Sequence, residues 1–175
     1  MSQIAFLGAI ETGLLFGLVA FGIYLSFRIL DFPDLTVDGS FPLGAAVSAS
    51  LIVTGFNPWL ATLLAMVAGA AAGFVTAWMN VRLKILHLLA SILTMIALYS
   101  INLRIMGRPN VALLGDTTVL TPLEAYGLPY YWVAPLAFTL VVAVVGTLLV
   151  LFLKSEIGLS MRATGANARM ARAQG

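Results

Sequence analysis

Cysteine is absent from the 175 residues, and histidine occurs once. The first absence excludes disulfides, thiolate nucleophiles and Cys-ligated metals, and a single imidazole gives no basis for a His-built metal or proton-relay site. No GxxxxGK[ST] run is present, so the chain has no Walker-type loop to cradle ATP phosphates. Charge is scarce as well. Only 9% of the residues are Asp, Glu, Lys or Arg, against about 25% in a soluble domain. Such a small set of charges cannot cover a water-facing surface for a chain of this length. What remains is apolar: hydrophobic residues make up 61% and the mean hydropathy is +1.04. These values predict an all-α membrane protein, a polytopic helical bundle, with no catalytic, cofactor-binding or metal-ligating set. The formal net charge is only +2 and the basic residues cluster near segment ends, so they report membrane orientation and not nucleic acid.

Stretches without charge locate the spans, because a charge at the bilayer centre costs at least about 2.5–3.5 kcal/mol on insertion scales. About five transmembrane helices fit. The first lies between Glu11 and Arg28, whose side chains can snorkel to extend a short apolar core. Basic residues are missing from Met1 to Gln3 and no small-residue cleavage site follows, which predicts a retained span and not a removable signal peptide. From Gly39 to Val81 no charged residue occurs, enough for two helices joined at Gly55-Phe56-Asn57-Pro58. A fourth runs from about Ile85 to Leu103, and a fifth from about Trp132 to Leu153 with Pro135 in its first turn. Trp59, Trp78 and Trp132 mark span ends, where indole rings settle at the interface. Alternate counting places Arg28, Arg82, Lys84, Lys154, Arg162, Arg169 and Arg172 on one side, against Arg104 and Arg108 on the other. The first side is therefore expected to be cytoplasmic, with the N-terminus outside and the C-terminus inside.

Between the first two apolar runs lies LDFPDLTVDGSFPLGA, Leu30 to Ala45. Pro33 and Pro42 remove backbone donors, while Asp34, Thr36, Asp38 and Ser40 can accept from donors left exposed. One reading is a polar loop with Asp38 or Ser40 capping the second span; the other is a broken helix lining a polar cavity. The short first two spans allow a re-entrant or broken path. Gly13 to Gly17 and Gly69 to Gly73 carry the spacing that lets helices pack closely. Arg104 to Tyr131 is expected to be mostly non-helical and external, with Asn110 to Thr121 as an exposed loop or a short strand and Tyr126, Tyr130 and Tyr131 as an aromatic anchor. His87 needs no role beyond the interface. Glu11 reaches the headgroups or lines a substrate path, and Asn80 and Asn102 at span ends are open to either reading.

The chain closes with KSEIGLSMRATGANARMARAQG, Lys154 to Gly175, a basic segment with a helix-compatible stretch from about Asn167 to Ala173. Without analogy, it suits an anionic lipid surface or a soluble partner. Gly158, Arg162-Ala163, Gly165, Asn167, Ala171 and Gly175 together resemble the cytoplasmic coupling loop of bacterial ABC importer permeases of the branched-chain amino acid and ribose type. DLTVDGSFPLGAAV, Asp34 to Val47, is similar to the start of the second span in the subgroup of those permeases assigned to tryptophan or tyrosine uptake. The resemblance covers Phe6 to Gly175. Family members continue through further spans, so it implies one permease domain over 1–175, incomplete at its C-terminal end, with 154–175 as the coupling loop.

The resemblance further implies a non-catalytic permease subunit of an importer in the bacterial plasma (inner) membrane, taking a small solute such as an amino acid. Its partners would be a cytoplasmic ABC ATPase subunit, an extracytoplasmic substrate-binding lipoprotein, a second permease and membrane lipid. Asp34, Thr36, Asp38 and Ser40 are then expected on the translocation path, and Gly158, Arg162, Gly165, Asn167, Arg169 and Arg172 in the ATPase contact. Two other classes compete. A non-transporting scaffold or assembly partner suits the short length, and an ion-coupled carrier or channel would use intramembrane carboxylates, for which Glu11 is the one available in a span.

Overall fold

The computed structural model describes residues 3–124 and 129–173. Tyr126, Gly127 and Gly175 lie outside the described residues. Among the described residues every regular element is helical. In chain order these are α1 (Gln3–Tyr24), continued by a π-helical turn (Leu25–Ile29), α2 (Val37–Val53), α3 (Pro58–Leu83), α4 (His87–Met106), a single turn α5 (Thr121–Glu124), α6 (Tyr130–Lys154), α7 (Glu156–Ala166) and α8 (Ala168–Ala173). Four of them are long and apolar enough to cross a membrane: Gln3–Ile29, Pro58–Leu83, His87–Met106 and Tyr131–Lys154. The fifth expected span, α2, has 17 residues and is about 25 Å long, less than the roughly 30 Å of a bilayer core. Helices are what hydrocarbon permits, because each backbone donor then finds its acceptor within the segment.

The residues at the helix ends explain where each begins and stops. Gly55 turns with φ 83°, Asn57 accepts from Trp59 N at 2.9 Å, and Pro58 opens α3, as the turn signal predicts. Gly107 closes α4 at φ 63°. Arg82, Arg104 and Lys154 lie in the last turns of α3, α4 and α6. There each favours the negative end of its helix dipole while leaving the hydrocarbon.

The chain divides into two compact units, Met1–Pro33 with Pro122–Gly175, and Asp34–Thr121. In the first, α6 packs on α1, α7 follows α6, and α7 also meets the π-helical turn. Phe21 of α1 covers Gly146 of α6, where an added Cβ would stand 3.3 Å from the ring. In the second, α2 packs on both α3 and α4 around Leu43, Ala72 and Leu98. Small residues permit that closeness: Ala46, Ala61, Ala90 and Ser91 are all buried, and a Cβ on Gly39 would lie 3.0 Å from Met95 Cα.

Several expectations need correction. The first span is not short: it runs 27 residues with its π-helical end, and Glu11 lies about 12 Å along it, on the third turn. Pro33 does lie in a break, but Pro42 is inside α2, and Phe41 before it is helical. The loss there is one hydrogen bond, to the Asp38 carbonyl in the exposed first turn, which the chain tolerates. Pro135 likewise falls in the second turn of α6, because that helix starts at Tyr130. Asn110 to Thr121 contains no strand among the described residues. Gly13, Gly17 and Gly73 have open space where a Cβ would stand, so the close helix approaches use Gly39 and Gly146 instead.

Candidate functional site

The break after the first span leads into a polar cluster of the second unit. Asp34 accepts from Thr36 N at 2.8 Å, a short side-chain turn that starts the chain toward α2. Thr36 flanks the helix without capping it, because its hydroxyl is engaged elsewhere. It meets the Thr76 hydroxyl of α3 at 2.7 Å, and both residues are almost fully buried. The cap expected of Asp38 or Ser40 is not formed: Asp38 is exposed in the first turn and Ser40 lies further along the helix. One turn on, Asn102 of α4 donates through Nδ2 to the Gly39 carbonyl at 3.3 Å, while its Oδ1 is buried without a partner. Asn80 serves the α3–α4 connection, donating to Ile85 O at 2.7 Å across the turn. Of the four residues expected on a path, Thr36 is therefore inside the α2–α3 contact, Asp34 braces the break, and Asp38 alone is freely exposed.

The second locus is an elbow in the first unit. Ser155 is the single residue between α6 and α7, extended at φ −72° and ψ 164°. Its hydroxyl donates to the Phe152 carbonyl at 2.6 Å and accepts from Gly158 N at 3.3 Å, joining the end of one helix to the start of the next. Gly158 fits beneath α6, where a Cβ would lie 2.5 Å from Leu153 Cα and nearer still to the Phe152 carbonyl. Gly165 meets the end of the first span just as closely: a Cβ there would strike the Ile29 carbonyl and lie 3.1 Å from Leu30 Cα. Asn167 then caps α8, its Oδ1 accepting from Arg169 N and Met170 N at 3.1 Å each.

Of the six residues expected in the coupling loop, Gly158, Gly165 and Asn167 shape its backbone. Arg162, Arg169 and Arg172 carry its exposed charge. The spacing of the tail points to α8, whereas α7 is not evident from it, since SEIGLSMRATGA mixes small, apolar and polar residues without a clear face. Arg28 and Asp31 also belong to this elbow. With Arg162 they line a shallow cavity of about 470 Å³ that is widely open to the outside. Asp31 holds left-handed backbone, φ 52°, where the π-helical turn gives way to the break. Sequence reasoning assigns Arg28 only to the end of the first span and to orientation; a basic residue three positions before an Asp-Phe-Pro break is the signal that could have marked it.

Two substitutions follow from this geometry. Thr76→Val leaves the buried Thr36 hydroxyl unpaired and is expected to destabilise the α2–α3 contact by about 1–2 kcal/mol. Thr36→Val with Thr76→Val should cost little more than the single change, a coupling that unfolding in mixed micelles measures. Gly165→Val forces α7 off the Ile29 carbonyl, so trypsin should cut between Arg162 and Arg172 faster while helical circular dichroism is kept. Gly146→Ala, which meets only the tip of the Phe21 ring, should leave the cleavage rate unchanged.

Residues 5–175 match the family described as branched-chain amino acid transport system / permease component. The chain is 37% identical over 166 residues to a tyrosine transport system permease protein of Clostridioides difficile, covering 93% of this chain and 52% of that one. It is also 38% identical over 159 residues to an uncharacterized protein of Rickettsia prowazekii, covering 91% of this chain and 54% of the other. The chain thus spans about half the length of the curated relatives it matches. No solved structure matches. A set of apolar spans, a braced break before α2 and an elbow of two short helices accord with that match: the chain belongs to the branched-chain amino acid transport system permease family.

Proposed function

We propose that this chain provides membrane-spanning permease function in an ATP-binding cassette importer for a small solute, an amino acid such as tyrosine being the class its relative's name suggests. The observation that carries the reading is the elbow. Two short helices carrying Arg162, Arg169 and Arg172 follow the last long span, and glycine contacts set the first of them against α6 and the end of the first span. Such an element can pass the movement of a soluble partner into the spans without bending at a loop. The partner would be a cytoplasmic ATPase, with Arg162, Arg169 and Arg172 supplying charge for the contact. A substrate-binding lipoprotein would deliver solute on the opposite side, and two permease subunits would enclose the path. Both compact units would then belong to one transmembrane domain, with Asp34, Thr36, Asp38 and Ser40 at or beside the path. Alternating access would be a shift between two states that the ATPase contacts differently.

The distribution of Lys and Arg supports a cytoplasmic α7–α8 and an external segment between α4 and α6. The absence of cysteine makes this directly testable. Leu114→Cys, at a residue 95% exposed, should react with a membrane-impermeant maleimide in intact cells, whereas Arg169→Cys should react only after permeabilisation. The reverse pattern refutes the orientation. For the function, the full permease is co-reconstituted with its ATPase and binding protein and assayed for ATP-dependent uptake of radiolabelled tyrosine and branched-chain amino acids. Uptake that needs all three components is expected. Replacing Arg162, Arg169 and Arg172 together by Gln should lower it at least tenfold, because each charged side chain of an interface contributes roughly 1 kcal/mol or more, while membrane insertion stays intact.

A further inference from the structure

The cavity at the elbow sets Arg28 and Asp31, which the coupling role does not use, beside Arg162, which it does. Arg28 comes from the last turn of the first span and Arg162 from the middle of α7, so two elements separated in sequence bring two arginines to the lining of one open space. Neither makes an ion pair or a side-chain hydrogen bond among the described residues, and Asp31, in the same cavity, makes none either. Two cations beside one anion leave a net single positive charge. On the side toward the span the walls are Tyr24 and Phe27, both aromatic and nearly half exposed. Gly165 lies at the edge of the same space, where its missing side chain lets α7 rest directly against the Ile29 carbonyl.

We propose that this cavity binds the phosphodiester headgroup of an anionic membrane phospholipid, with Arg28 and Arg162 holding the phosphate. Guanidinium groups suit the bidentate geometry of phosphate oxygens. The site lies at the end of a membrane span, where headgroups of one leaflet are found, and basic pockets beside helix ends are the usual form of such sites. Tyr24 and Phe27 point to lipid over a soluble acidic partner, because an acyl chain covers aromatic surface in the bilayer and a carboxylate does not. Asp31 matches the cavity to a singly charged phosphodiester and disfavours a doubly charged phosphate monoester. The bound headgroup would join the π-helical turn to α7 by charge at the place where Gly165 joins them by contact. This inference stands on the cavity and is independent of the transport reading.

The test is titration of the full permease chain, delipidated in a neutral detergent, with phosphatidylglycerol or phosphatidylcholine, read by native mass spectrometry. One tight phosphatidylglycerol site is expected, with phosphatidylcholine much weaker. Arg28→Gln with Arg162→Gln should weaken it roughly 25-fold, about fivefold for each arginine near an anionic headgroup. Arg169→Gln with Arg172→Gln, outside the cavity, should change it less than about twofold. Asp31→Asn should tighten it several-fold: Asn enters left-handed backbone as readily as Asp, so only the repelling charge is removed. That variant carries the test if the double arginine change prevents folding. Equal binding of the two lipids, or equal weakening by both arginine pairs, overturns the proposal, as does an Asp31→Asn chain that binds no tighter. Displacement of the lipid by millimolar inorganic phosphate overturns it too, by identifying a free anion as the ligand.

Discussion

A backbone amide or carbonyl left unpaired in hydrocarbon costs several kcal/mol, and the architecture follows from where the chain avoids that cost. Within the spans the helix pairs its own groups. At the breaks, polar side chains take over: Asp34 receives the Thr36 amide, Asn57 the Trp59 amide, Ser155 the Gly158 amide, and Asn167 two amides of α8. Each of these residues stands close to a helix end or start. Polar side chains therefore stand at each of these interruptions of the helical ladder and supply the acceptors that the helix no longer provides.

Packing inside the bilayer obeys a different rule, since lipid tails are as apolar as leucine and give helices no hydrophobic reason to associate. The second unit meets this with small residues and shared hydroxyls. Ala46, Ala61, Ala72, Ala90 and Ser91 let α2, α3 and α4 approach, and the Thr36–Thr76 bond fixes their register. The first unit holds its long helices with fewer buried side chains, among them Leu7, Val133 and Leu153. Many large apolar residues of α1 and α6, such as Phe16 and Leu140, stay exposed, as a lipid-facing surface requires.

Much of this organisation was legible in the sequence because charge is excluded from hydrocarbon, so the gaps between Asp, Glu, Lys and Arg mark the spans. The turn at Gly55 to Pro58 and the cap at Asn57 follow from local chemistry. Glu11 misled the start of the first span: one carboxylate does not end a helix whose 27 residues exceed what the bilayer core needs. Pro42 misled the start of α2, since a proline near a helix N-terminus costs one bond and need not terminate it. At the candidate sites, residue types were readable and pairings were not. Nothing local in the sequence couples Thr36 to Thr76 across 40 positions, or Gly165 to Ile29. Spacing within a GxxxG run gives the capacity for close approach, but only the fold decides which glycine is approached, here Gly39, Gly146, Gly158 and Gly165.

The single-residue joint at Ser155 has a mechanical meaning. An 11-residue α7 is an arm of about 16 Å, so a 10° swing at its base would carry its far end roughly 3 Å. Gly158 near the base and Gly165 near the tip leave no clearance for such a swing. Contact at both ends leaves no slack, so a push that drives α7 toward α6 and the end of the first span would meet those helices at once.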